Sequence, residues 1–286
     1  MKKTVSESAQ LLICPLDQCQ LRLNGNSWQC EHKHQYDIAR QGYVNLLPVQ
    51  HKRSKSPGDT KEMVQARRNF LATGAYQAIS EQLNQIIIDH KQTNTILDAG
   101  CGEGYYLNRL NQKLTENQRI AHCFGLDIAK FAIQAAAKSD KKSHYLVASN
   151  RSVPIADSSL DIIYCAFGFP VFEEFTKKLK PDGKLILVES GEQHLIELRK
   201  LIYPNLKPYR QNPYPEAAES GFSWTEESSI QYKVTLDKTA LANLLLMTPH
   251  IHKASAEKKQ QLAELEQLEL SVDVNFRVLN KDAQNL

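Results

Sequence analysis

The stretch that most constrains this chain is Thr95-Ile96-Leu97-Asp98-Ala99-Gly100-Cys101-Gly102-Glu103-Gly104-Tyr105-Tyr106. Thr95 to Ala99 reads as a short buried strand, and Tyr105 to Leu114 has helical spacing. Strand, glycine turn and helix together open a nucleotide-binding α/β unit. Glycine allows backbone angles closed to other residues and lets a ligand approach the main chain. A dinucleotide fingerprint runs G-x-G-x-x-G, with the pyrophosphate on the helix N-terminus. Here the order is D-x-G-x-G-x-G, with one acid before the first glycine and another between the last two. Those carboxylates repel a diphosphate. They suit a cationic, phosphate-free ligand with hydroxyls, and S-adenosylmethionine (SAM) is such a ligand. Asp98, Gly100, Gly102, Glu103 and Gly104 are therefore candidate SAM-binding residues. An acid about 20 positions further on binds ribose hydroxyls in such units. Asp127, ending the strand-like Cys123–Asp127, has that place.

Strands and helices alternate after the turn. Ala129–Lys138 reads as a helix, His144–Ala148 as a strand, Leu160–Ala166 as a strand, and Phe172–Leu179 as a helix ending at Lys180-Pro181-Asp182-Gly183. Lys184–Glu189 is a fifth strand and His194–Tyr203 a helix. Residues 204–220 are Pro-rich and irregular. Ser229–Leu236 and Leu268–Val278 alternate like strands, around helical Lys238–Met247 and Ala254–Leu265. Such alternation implies a parallel sheet with the ligand at the strand carboxyl ends. Two closing strands fit a class I SAM-dependent methyltransferase, a Rossmann-like, mostly parallel seven-stranded sheet whose last pair is antiparallel.

The first quarter of the chain is different. Cys14-x4-Cys19, then Cys30-x3-His34, is the arithmetic of a structural zinc site, which takes four Cys/His ligands with short spacings inside each pair. Cys14, Cys19, Cys30 and His34 are the expected ligands, with His32 competing for the fourth place. Leu21, Leu23 and Trp28 suit a small hairpin between the pairs. A unit this small lacks a core of its own, so zinc supplies folding energy. His51 to Ser56 is a basic loop. Asp59 and Glu62 have capping-box spacing, so a helix starts there and stops at Gly74. Loop and helix, with Arg67 and Arg68, can track a nucleic-acid backbone. Residues 1–68 hold 11 Lys/Arg against 6 Asp/Glu, and the remainder 24 against 26, so the positive excess sits here. The expected division is a zinc-binding RNA-recognition domain over 1–50, a basic linker and helix over 51–75, and a methyltransferase domain over 76–286. Cys101, Cys123 and Cys165 fall in or beside strands and read as buried thiols. No apolar run approaches the ~18–20 residues of a membrane span, and the polar Met1-Lys2-Lys3-Thr4 is followed by no signal-peptide core, so a cytoplasmic protein is expected.

These motifs together resemble the RlmA (RrmA) family of 23S rRNA guanine-N1 methyltransferases, over nearly the whole chain. The Cys/His knuckle carries the resemblance, with Gln41-Gly42-Tyr43-Val44-Asn45-Leu46-Leu47-Pro48-Val49-Gln50-His51-Lys52-Arg53-Ser54, Gln65-Ala66-Arg67-Arg68 and Leu97–Tyr106. His194-Leu195, Leu201-Ile202-Tyr203 and Met247-Thr248-Pro249 add to it. The resemblance implies a structural zinc domain for RNA recognition, methyl transfer from SAM to guanine N1 of a 23S rRNA hairpin, and a homodimer. It implies SAM contacts at Tyr76, Gly102, Glu103 and His194. The alternative is a SAM-dependent methyltransferase acting on another RNA or on a small molecule. The first knuckle departs from the family's shorter x2 spacing. Cys165-Ala166-Phe167-Gly168-Phe169-Pro170 departs from the family's Ile-Tyr-Ala-Pro-Cys type, in a stretch that lines the acceptor pocket. No residue is assigned as catalytic. Glu189 and His194 are the candidate bases by topology, and Phe167 and Phe169 can stack on the target base.

Overall fold

Thr95–Ala99 is buried at all five positions. A strand covered on both faces belongs at the centre of a parallel sheet, and the computed structural model puts it there. The structure describes residues 11–51, 57–90, 93–248 and 254–282. The basic loop 52–56, residue 249 and the first ten residues lie outside the described residues.

Three short antiparallel strands, β1 (Arg22–Asn24), β2 (Ser27–Gln29) and β3 (Gln35–Asp37), form the N-terminal ribbon. Trp28 and Leu21 are buried under it, whereas Leu23 is exposed. β4 (Val44–Asn45) follows, then α1 (Lys61–Ala72) and α2 (Gln77–Asp89). The core runs β5 (Thr95–Ala99), α3 (Tyr105–Glu116), β6 (His122–Asp127), α4 (Lys130–Ser139), β7 (His144–Val147), β8 (Leu160–Ala166), α5 (Phe172–Lys178), β9 (Leu179–Ser190) and α6 (Ile196–Ile202). The chain closes with α7 (Pro215–Glu219), β10 (Phe222–Asp237), α8 (Lys238–Met247), α9 (Ala256–Glu264) and β11 (Gln267–Lys281).

The main sheet has the order β10-β11-β9-β8-β5-β6-β7-β4. Strands from β9 to β4 pair in parallel, while β11 is antiparallel to both β9 and β10. Seven strands make the expected class I methyltransferase sheet. The eighth, β4, comes from the segment assigned by sequence to the zinc domain. It pairs Val44 with Leu146 and Asn45 with Val147. Leu12, Trp28, Val44 and Leu46 share one apolar cluster with Phe124, Leu146 and Ile155, so the ribbon borrows its core from the sheet.

Two sequence expectations need correction. The α1 N-cap is Thr60, whose hydroxyl accepts from the Met63 N–H, and not Asp59. Asp59 instead binds Arg67 at 2.8 Å. Lys180 to Gly183 does not close a helix ahead of the fifth strand: α5 ends at Lys178 and β9 already begins at Leu179. Leu160 pairs with Leu179 and Ile162 with Lys184, so these turn-like residues bulge out of one continuous strand.

Candidate active site and metal centre

The glycine turn sits at the carboxyl end of β5. Gly100, Gly102 and Gly104 have φ of 91°, 55° and 84°, all in the left-handed region that favours glycine. Asp127, at the end of β6, pins the turn: its carboxylate accepts the Gly102 N–H at 3.0 Å and the Ala129 N–H at 2.7 Å. Beside the turn lies a cavity of ≈ 400 Å³, within the range of small-ligand sites.

Five of the eight expected SAM residues line this cavity: Tyr76, Gly100, Gly102, Glu103 and His194. Asp98, Gly104 and Asp127 are not on its wall, and each has a physical reason. Gly104 is required by packing, since a Cβ there would come 2.8 Å from Tyr145 Oη and 3.0 Å from Ala136 Cβ. Asp127 holds the turn from behind. Asp98 is buried beneath it, and among the described residues neither carboxylate oxygen has a donor in good hydrogen-bond geometry, the Tyr164 hydroxyl being its polar neighbour. Burial holds the Asp98 carboxyl well above its usual range, although neighbouring Tyr164 favours the charged form. Burial also raises Glu103, against the pull of Arg67, and raises Asp127, against the two N–H groups it accepts.

Tyr76 and His194 are joined. Tyr76 Oη lies 3.0 Å from His194 Nε2, and the Asp273 N–H donates to His194 Nδ1 at 3.3 Å. The second bond makes Nδ1 the acceptor and leaves Nε2 as the protonated nitrogen, donating to Tyr76. Phe167 has φ 54° and stacks near Tyr76 and His194, with centroids 6.1 Å and 5.9 Å away. Phe169, two residues on, is 89% exposed.

The structure separates the two candidate bases. His194 lines the cavity. Glu189 does not; its strand neighbour Ser190 does. Successive strand residues face opposite sides. Glu189 accordingly accepts from Tyr214 Oη at 2.7 Å and from Arg277 Nη1 at 3.3 Å on the other face. Arg277 lies 3.8 Å over the Trp224 ring.

Arg67 was expected to track a nucleic-acid backbone. It lines the cavity instead, one helical turn from Leu71, which also lines it. Asp59 and the carboxylates of Glu103 and Asp127 hold its guanidinium in the charged form against the cost of burial. Its neighbour Arg68 is exposed. Leu195, Met247 and Thr248 complete the wall. Sequence stretches with no chemistry of their own, around Arg67, His194 and Met247, thus converge on one ligand space. The three core cysteines are buried, and burial pushes Cys123 and Cys165 up to about 12. They are inert thiols.

At the ribbon, Cys14, Asp17, Cys30 and His34 bring their donor atoms within 4.8 Å of one another. Cys19 does not join them. Its Sγ lies 3.1 Å from Glu31 Oε1 and 3.7 Å from His32 Nδ1, in a separate group with Asp17 and His32. Two buried thiols, an imidazole and a carboxylate suit a structural zinc ion.

Residues 12–55 match a zinc-ribbon family model described as RlmA, N-terminal, and residues 90–244 match one described as a methyltransferase domain. The chain is 31% identical over 286 residues to "Putative 23S rRNA (guanine-N(1)-)-methyltransferase YxjB" of Bacillus subtilis (strain 168), covering 97% of this chain and 99% of that protein. It is 27% identical to the 23S rRNA (guanine(748)-N(1))-methyltransferase of Streptomyces fradiae, covering 97% of this chain and 98% of that protein. Among solved structures, a chain of the complex between the Haloferax volcanii Trm112 methyltransferase activator and a methyltransferase aligns with TM-score 0.50 at 20% identity, over 79% of this chain and all of that one. That likeness speaks for the fold alone.

Proposed function

The chain belongs to the family of 23S rRNA (guanine-N1)-methyltransferases with an RlmA-type zinc ribbon, and on that premise we propose how its site transfers a methyl group from SAM to N1 of a guanine in a large-subunit rRNA hairpin. It is a SAM-dependent methyltransferase with a structural zinc site. The observation that carries the reading is the cavity at the glycine turn, walled by bare backbone and by Glu103, with buried Asp98 behind it.

When bound, SAM supplies a methyl group activated by its sulfonium. The residues present fit it. The turn offers main-chain approach at Gly100 and Gly102. Asp98, Glu103 and Asp127 are carboxyls that burial raises above their usual range, and a further cation beside them would lower them again. Arg67 is the one guanidinium or ammonium among the described residues lining the cavity, so it is the residue that would hold the carboxylate at the amino-acid end of the donor. The Tyr76–His194 pair has both imidazole nitrogens engaged, which makes it a fixed wall and not a free base.

Guanine N1 must lose a proton. Its pKa lies about two units above neutrality, so deprotonation costs roughly 3 kcal/mol at ~1.4 per unit. The chain contributes alignment of nucleophile, methyl and sulfur. Phe167 is held in a left-handed conformation at the cavity edge, beside exposed Phe169. A base lifted from its helix can stack there, each such contact being worth ~1–3 kcal/mol. The ribbon and the basic segment before α1 supply the RNA contacts, and a homodimer would join two such surfaces. Among the described residues no helix is long and apolar enough to cross a membrane, and action on ribosomal RNA supports a cytoplasmic location.

The test is incubation of the full chain with SAM and large-subunit rRNA lacking the modification, followed by nucleoside mass spectrometry. The expected product is 1-methylguanosine in one hairpin. Methylation at another base, or of small molecules only, contradicts the reading.

A further inference from the structure

We propose that the ribbon holds its zinc ion through Cys14, Asp17, Cys30 and His34, a site with two thiolates in which a carboxylate takes the fourth place and Cys19 takes none. The proposal rests on the zinc-ribbon reading above and decides which donors fill it.

Distance is the first ground. Zinc bonds of about 2.3 Å to sulfur and about 2.0 Å to nitrogen or oxygen give a tetrahedron with edges of about 3.3–3.8 Å. Cys14 Sγ and Cys30 Sγ each lie 3.5 Å from His34 Nδ1. Asp17 Oδ2 lies 3.1 Å from Cys30 Sγ and 2.9 Å from His34 Nδ1. These are the edges of a tetrahedron that needs only a slight expansion to admit the ion. As metal donors, Cys19 Sγ and His32 Nδ1 group with Asp17 and not with Cys14, Cys30 and His34, and His32 reaches Asp17 Oδ2 at 3.0 Å from the solvent side.

The backbone is the second ground. Gln18, directly after Asp17, has φ 63° and donates its N–H to the Cys14 carbonyl at 2.9 Å. The chain reverses at that residue. Cys14 and Asp17 therefore lie on the near side of the turn with x2 spacing, the short spacing of structural zinc pairs, while Cys19 lies past the reversal. Asp17 Oδ1 accepts the Cys19 N–H at 2.9 Å, which fixes the carboxylate and leaves Oδ2 toward the other donors.

The third ground is the surroundings. Cys14 and Cys30 are buried, and Tyr36 Oη lies 3.1 Å from Cys14 Sγ, placed to donate to its thiolate. Cys19 is partly exposed, and its Sγ is turned to Glu31 Oε1 at 3.1 Å, away from the other two thiols. The carboxylate also keeps the ligand charge that a third thiolate would bring.

The test is cobalt(II) substitution in the full-length chain, because each thiolate ligand adds to the sulfur-to-cobalt charge-transfer band. Cys19→Ser should leave that band unchanged. Asp17→Cys should raise it about 1.5-fold, from two thiolates to three. A band that falls by a third in Cys19→Ser, or does not rise in Asp17→Cys, overturns the assignment. A wild-type chain that takes up neither zinc nor cobalt removes the zinc-ribbon reading itself, a different result from a bound metal with three thiolates.

Discussion

The two sites of this protein are built in opposite ways. The cavity proposed for SAM is organised by backbone: a turn of three left-handed glycines, two of them on its wall, at the end of a fully buried strand and tied by Asp127 to the next strand. The ribbon is made of side chains, on strands of three residues each, around donors that a metal must hold together. A backbone site is set by the sheet and tolerates little change in its turn. A side-chain site can exchange one donor for another while keeping its shape.

Metal removal should separate the two most widely. A chelator should disorder the ribbon, read by the fluorescence of Trp28, because the ion's binding energy of about 10 kcal/mol or more is folding energy for such units. SAM affinity should fall by less than tenfold. Loss of both sites in one transition would break the comparison and make the shared apolar cluster, not the metal, the governing contact.

Gly104→Val is the next largest effect. The new side chain meets Tyr145 and Ala136 and is strained at φ 84°. A loss on the order of 3 kcal/mol is expected in denaturant unfolding, together with loss of SAM binding. Unchanged stability would show that the turn is not packed as described.

Arg67→Ala sharpens the account of the cavity wall. S-adenosylhomocysteine should bind about 10- to 100-fold more weakly, the worth of a charge-assisted hydrogen bond of ~1.5–3 kcal/mol. 5′-Methylthioadenosine, which lacks the carboxylate, should be little affected. An equal loss for both ligands would mean that Arg67 supports α1 rather than the donor.

Glu189→Gln should be the smallest perturbation of turnover. The carboxylate faces Tyr214 and Arg277 away from the cavity, so kcat should stay within about tenfold. A fall of ~10²–10⁴, the range for loss of a general base, would return Glu189 to the reaction.

The same contrast explains what was legible in the sequence. β5 and β8 are recognisable at their bounds because both are short runs rich in buried apolar residues, each with a single acid, and α8 because Asp237 caps it. β10 is longer than its alternation because Ser223 to Ser229 lie exposed on the edge strand and show no apolar period. β4 was hidden because two residues carry no strand pattern; only the β7 edge makes them one. Arg67 looked like a surface cation, since its partner Asp59 resembled a helix cap. Asp17 carries no Cys/His signal, so the sequence count of zinc ligands points to Cys19, whereas the geometry groups Asp17 with Cys14, Cys30 and His34. Glycine spacing reports a backbone directly, whereas a donor's reach depends on one dihedral, here that of Gln18.

The central claim is that the turn receives a cationic sulfur donor among carboxyls that burial raises above their usual range. Burial raises Asp98, Glu103 and Asp127 in the free protein, and a nearby cation lowers them again, so binding should release protons. Affinity should then rise with pH from the ordinary carboxylate range up through their raised values. Calorimetric titration of the full chain with SAM, in buffers of different ionisation enthalpy at mildly acidic pH, measures this directly. The account predicts saturable binding with net proton release and no binding of NAD; proton uptake, or preference for the dinucleotide, would contradict it.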